Sequence, residues 1–100
     1  MPYALGILTY PTDSAVEFGK KFLELSKKKT PDYLKVLYPF MAAEHDIKGY
    51  ALYEINKDKY FEGLKAIHER MATFLGIPGF KYKVIPLLEA KDALPLVGLG

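Results

Sequence analysis

The side chains suited to chemistry are few: two histidines, twelve carboxylates and eight tyrosines, with no cysteine at all. An imidazole next to a carboxylate can be tuned for proton transfer near neutrality, which singles out Glu44-His45-Asp46. Consecutive residues of a connecting segment point in different directions, however, and polar side chains are what such a turn requires in any case. His68 falls on a helical apolar arc with Leu64 and Phe61; a lone imidazole there is most simply a packed residue with one hydrogen bond, and it is a candidate catalytic acid or base. Glu54, at the end of a β-rich run, is the second candidate, because burial would raise its carboxyl toward a useful range. Tyr10, Tyr38, Tyr50 and Tyr53 form a third group on predicted strands, with Tyr3 and Tyr82 beside them. A phenol joins an apolar ring to one polar handle. Four of them lining a cavity could hold a small organic ligand, although tyrosine is equally favoured at protein interfaces.

What is missing narrows the chemistry. Without cysteine there are no disulfides, thiolate nucleophiles or thiolate metal sites, a pattern that fits a reducing compartment. Two histidines make a poor metal site, and there is no glycine-rich phosphate loop; neither a metal nor a cofactor is expected. The formal charge of +2, from 14 basic and 12 acidic residues spread along the chain, is too small for a nucleic-acid footprint. The apolar start Met1 to Leu8 lacks a basic leader region and stops at Tyr10-Pro11, short of a signal peptide. No apolar run reaches the roughly 20 residues of a membrane span. The expectation is a cytoplasmic protein with no membrane or nucleic-acid partner.

The elements that must position these residues follow from periodicity. One hundred residues, half of them hydrophobic, make one domain. Tyr3 to Tyr10 is rich in β-formers and reads as a strand buried on both faces. Ser14 and Glu17 have the spacing of a capping box ahead of a helix whose Ala15, Val16, Phe18, Phe22, Leu23 and Leu25 share one half of its circumference. Lys27-Lys28-Lys29 suits that helix's C-terminus, and Thr30-Pro31 stops it. Leu34 to Ala43 and Gly49 to Ile55 are β-rich and joined by too short a segment for a helix, so they form an antiparallel hairpin. Asn56 or Asp58 caps a second helix running to about Leu75, with Tyr60, Leu64, Ile67, Met71 and Phe74 on its apolar arc. Gly76 then reads as its C-cap, with Pro78 shortly beyond. Phe80 to Leu88 is the last strand. The expected organisation is a body over residues 1–88 and an apolar tail over 89–100 that can pack on a partner subunit.

The order strand, helix, strand, strand, helix, strand is that of an α+β ferredoxin-like fold, βαββαβ, with a four-stranded antiparallel sheet and both helices on one face. Proline is confined to edge strands or bulges; Pro39 and Pro86 fall in the second and fourth strands, the expected edges. The other sheet face should be polar if it were wet, yet even the less hydrophobic parity of each strand carries Leu8 and Tyr10, Leu37 and Met41, Tyr50 and Leu52, and Ile85 and Leu87. Leaving eight such side chains in water would forfeit on the order of 10–20 kcal/mol as an upper bound. The sequence therefore predicts a homodimer, or a higher oligomer, joined through that face.

On these features, together with Gly49-Tyr50-Ala51-Leu52-Tyr53-Glu54-Ile55 and Phe74-Leu75-Gly76-Ile77-Pro78-Gly79-Phe80-Lys81-Tyr82, the chain resembles the dimeric α/β-barrel superfamily, and within it a small family without an assigned activity. The resemblance covers Tyr3 to about Leu88 and implies two protomers packed sheet to sheet around a cavity. Haem-degrading members use a histidine on the second helix, an asparagine on the first strand and a tryptophan. His68 matches the first; the other two have no counterpart here. The leading expectation is a homodimer binding a small organic ligand in a Tyr-lined cavity. A cofactor-independent enzyme resembling a monooxygenase or isomerase, and a structural or interaction module without a ligand, are the alternatives.

Overall fold

The periodic segments become helices and strands at nearly the expected bounds. A computed structural model describes residues 2–43 and 45–99, with 38–40 described by their backbone alone. In chain order they form β1 (Tyr3–Tyr10), α1 (Ala15–Ser26), β2 (Leu34–Ala43), β3 (Ile47–Ile55), α2 (Tyr60–Ala72), β4 (Lys81–Leu87) and a short α3 (Ala90–Ala93) that runs into a 3-10 turn, Leu94–Val97. The strands make one four-stranded sheet in the order β2-β3-β1-β4, with every pairing antiparallel. This is the ferredoxin-like arrangement, with the proline-containing strands β2 and β4 at its edges and the proline-free β1 and β3 inside.

Register decides which residues face the helices, because directly paired residues share a face and neighbours along a strand alternate. Ala4 pairs with Tyr53, Gly6 with Ala51 and Tyr10 with Ile47. These residues belong to the covered face. There, Ala4, Leu34, Tyr53 and Ile55 pack with Ala66, Ile67 and Met71 of α2, while Tyr10 joins Phe18 and Leu25 of α1 and Phe74, Ile77 and Phe80 in a second buried group. The second group is aromatic: Phe18 stacks on Tyr10 with ring centroids 4.1 Å apart and on Phe74 at 4.6 Å. Close approach of α2 depends on Gly63, whose missing side chain leaves room for the fully buried Ile55.

The other face is uncovered by α1 or α2. Register places Tyr3, Leu5 and Ile7 of β1, Tyr50, Leu52 and Glu54 of β3, and Lys83, Ile85 and Leu87 of β4 on it. Tyr3, Leu5, Ile7, Tyr50, Leu52 and Ile85 are half-buried by their neighbours in the sheet.

Several local expectations are corrected. The parity of β1 is reversed: Leu8 and Tyr10 lie beneath the helices, and Tyr10 is 3% exposed. The smaller residues Ala4 and Gly6 face inward because α2 passes close above them, so that a side-chain carbon on Gly6 would come within 2.7 Å of Met71 Cε. β1 is accordingly covered on one face within the chain rather than on both. Met41, expected on the uncovered face, pairs with Gly49, shifted there by an irregularity in the β2–β3 register between Val36 and Tyr38. The capping box does not form. The Ser14 hydroxyl makes no cap bond to its own helix and donates instead to the carbonyl of Pro78, 2.9 Å away. The left-handed turn residue after α2 is Gly79, at φ 77°, and not Gly76. α2 itself ends at Ala72, three residues early, because residues 73–77 turn to bring Phe74 and Ile77 into the aromatic group.

Residues 89–99 project from the body. The radius of gyration is 15.1 Å, against about 13 Å for a compact chain of this length. Leu88, Leu96 and Val97 are each more than 60% exposed.

Candidate functional site

α1 delivers Phe18, Phe22 and Leu25 at helical spacings of four and three, and α2 with the turn after it delivers Arg70, Met71 and Phe74. Between the two helices the sheet floor includes Gly6, Gly49 and Ala51, with Met71 and Leu8 lying close over the two glycines. The result is a cavity of about 550 Å³, within the range of small-molecule sites. Leu8, Val36 and Tyr53 complete its walls, and Ser26, Lys28, Lys29 and Thr30 from the end of α1 and the following loop stand at its mouth.

Tyr53 is the expected ligand-binding tyrosine that contributes a buried wall, at 4% exposure. Burial raises its phenol above the ordinary value, and the neighbouring Arg70 guanidinium, which shares a hydrogen bond with it, partly offsets that rise. Tyr50 borders the cavity, but it pairs with Ile7 on the uncovered face, so alternation leaves its main chain as the contact. Tyr10 is not among the lining residues; it is sealed against Phe18, and burial raises its phenol too. Tyr38 pairs with Leu52, on the uncovered face by backbone register, and its side chain lies outside the described residues.

The two acid–base candidates lie elsewhere. His68 is exposed on the flank of α2, not within its apolar arc; its Nδ1 is 3.2 Å from the Tyr82 hydroxyl, with the rings edge to face. Glu54 sits on the uncovered face opposite Tyr3. Partial burial, and then the negative charges of Glu54 and Glu89, hold the Tyr3 phenol above its usual value. Of the Glu44-His45-Asp46 run, His45 and Asp46 are exposed and Glu44 lies outside the described residues. Among the described residues no group of three or more metal-ligating side chains gathers, and no helix is long and apolar enough to cross a membrane.

Arg70 is a lining residue that the sequence reading does not single out. The available signal was its place in the series Ala66, Ile67, Arg70, Met71, Phe74, the spacing of a buried stripe. Arg70 is half-buried, and its Nε–H is fully buried without an acceptor among the described residues. A second recess of about 610 Å³ lies where β4 meets α3, walled by Pro2, Tyr60 and Leu87 with Lys57, Lys91 and Asp92 at its margin.

No protein-family model matches the chain, and no curated protein does. Among solved structures it is similar to the C-terminal domain of the MgtC protein from Mycobacterium tuberculosis, at a TM-score of 0.57 and 8% identity over 90% of this chain and 92% of that one. It is also similar to the de novo designed protein Foldit4, at a TM-score of 0.51 and 10% identity over 89% and 99% of the two chains. Identities this low establish a shared α+β architecture of antiparallel sheet and packed helices, and a scaffold that also suits a designed protein carries no function with it.

Proposed function

We propose that the chain is a homodimeric α/β-barrel protein that binds a small organic molecule in the cavity between α1, α2 and the sheet. The observation that carries the binding reading is the cavity itself, roofed by phenylalanine, floored by glycine and alanine and bordered by a buried tyrosine. Natural cores fill such space; an unfilled volume with a polar group in its wall is the usual form of a ligand site. Both acid–base candidates stand outside it, so binding without turnover fits the geometry better than catalysis. The dimer is supported by the half-buried apolar strip Leu5, Ile7, Leu52 and Ile85, which another copy would cover sheet to sheet.

The binding reading is tested by titrating the purified protein with uncharged 2-naphthamide in a calorimeter. Saturable binding of one molecule per chain is expected, abolished by Ala51→Leu, which fills the floor while leaving the circular dichroism spectrum intact. The absence of saturable heat, or binding indifferent to that substitution, overturns the reading.

A further inference from the structure

We infer that the cavity selects an apolar molecule carrying one anionic group, of which an aromatic carboxylate is the type; this rests on the binding reading above. The walls supply the first half of the requirement. Phe18 and Phe22 of α1, Phe74 in the turn after α2 and Tyr53 of β3 offer flat apolar surface, and rings of that kind favour planar partners. The charges supply the second half. Arg70, Lys28 and Lys29 line the cavity and its mouth, and among the described residues no aspartate or glutamate does.

Arg70 is the deciding residue. A buried donor without an acceptor costs free energy that a suitable partner recovers. Its Nε–H is in that state, and no carboxylate among the described residues pairs with its guanidinium. Tyr53 lies beside the same guanidinium but leaves Nε unmatched. A carboxylate fits the planar fork of an arginine through two parallel bonds, and Arg70 lines the cavity where such a group would sit. The two mouth lysines are exposed; they raise the local concentration of anions rather than fix one in place. A cation would meet the same three charges as repulsion, and a neutral acceptor could take a hydrogen bond from the guanidinium but would bring no charge to match it.

The test compares 2-naphthoate with 2-naphthamide, which share shape and differ in charge, on the wild-type protein and on Arg70→Met and Arg70→Lys. The expected result is that naphthoate binds the wild type at least tenfold more tightly than the amide, that Arg70→Met removes this advantage, and that Arg70→Lys restores part of it because charge returns without the fork. Retention of the circular dichroism spectrum and the unfolding midpoint by Arg70→Met serves as the control for an intact fold. If the amide binds and Ala51→Leu blocks it, but naphthoate binds no better, the anion selectivity is overturned and the cavity stands. If neither compound binds, both are overturned. An advantage for naphthoate that survives in a folded Arg70→Met overturns the role of Arg70 and, with it, the inference.

Discussion

Ser14 and Gly63 each hold a contact that their residue type alone permits. The Ser14 hydroxyl is buried at 6% exposure and ties the start of α1 to the Pro78 carbonyl, 64 residues away in sequence. Ser14→Ala should therefore lower stability by about 1 kcal/mol in urea unfolding, the usual net worth of such a bond. Glu17→Ala should change it by less than about 0.5 kcal/mol. Equal losses from the two would restore the capping box that the structure replaces. At Gly63 two effects compete. Alanine gains about 1 kcal/mol of helix propensity, but its methyl group would run into the side chain of Ile55, which is 0% exposed, and overpacking costs about 1–3 kcal/mol. Gly63→Ala should be destabilising on balance, and Ile55→Val in the same chain should recover part of the loss. Tyr10 and Tyr53 add a pH dependence whose sign is fixed. Their folded-state values lie above the ordinary phenol value of 10.0, so their contribution is complete below that value. It is lost as pH rises past it, because the unfolded chain ionises first. Alkaline unfolding followed by phenolate absorbance should shift to higher pH in Tyr53→Phe; an unchanged transition would mean that this phenol is not buried in solution.

At the scale of elements, the sequence was legible wherever one signal ruled a whole segment. Proline placement marked β2 and β4 as edges, and the apolar rhythm of α2 marked its buried side. It was illegible where two packing solutions differ only in close approach. In β1 both parities are apolar, so hydrophobicity could not tell that the smaller set, Ala4 and Gly6, lies inward; the passage of Met71 over Gly6 settles it. Arg70 was hidden for a related reason, since a charge within a buried stripe reads as surface until the fold shows an opening beneath it. The tail is a separate case. Its apolar side chains find no cover on the body, although Gly98 closes its last turn in the left-handed region at φ 80°. If the tail packs on a partner, ending the chain at Leu88 should leave the far-ultraviolet dichroism of the body intact while weakening self-association by at least tenfold in sedimentation equilibrium. Unaltered association would assign the tail to some other contact.

For the molecule as a whole, the proposed binding and the proposed self-association fall on opposite faces of the sheet, and this separation makes the assembly testable without disturbing the site. Leu52 stands on the uncovered face in register with Leu5, whose other neighbour is Ile85, so the three form a row across β3, β1 and β4. Lys48, Lys81 and Lys83 share this face by register and leave the row as its apolar centre. A two-fold contact uses each such residue twice, and burying an unpaired carboxylate there is expensive. Leu52→Glu should thus move the protein from a dimer to a particle of the 11.3 kDa chain mass at micromolar concentration, as read by light scattering. The same variant should stay folded and keep its affinity for 2-naphthamide, because the cavity opens on the opposite face and Leu52 does not line it. Loss of binding together with loss of the dimer would place the ligand between the two sheets instead. A wild-type chain that is already monomeric at that concentration would leave the apolar row without a partner copy and remove the barrel assembly altogether.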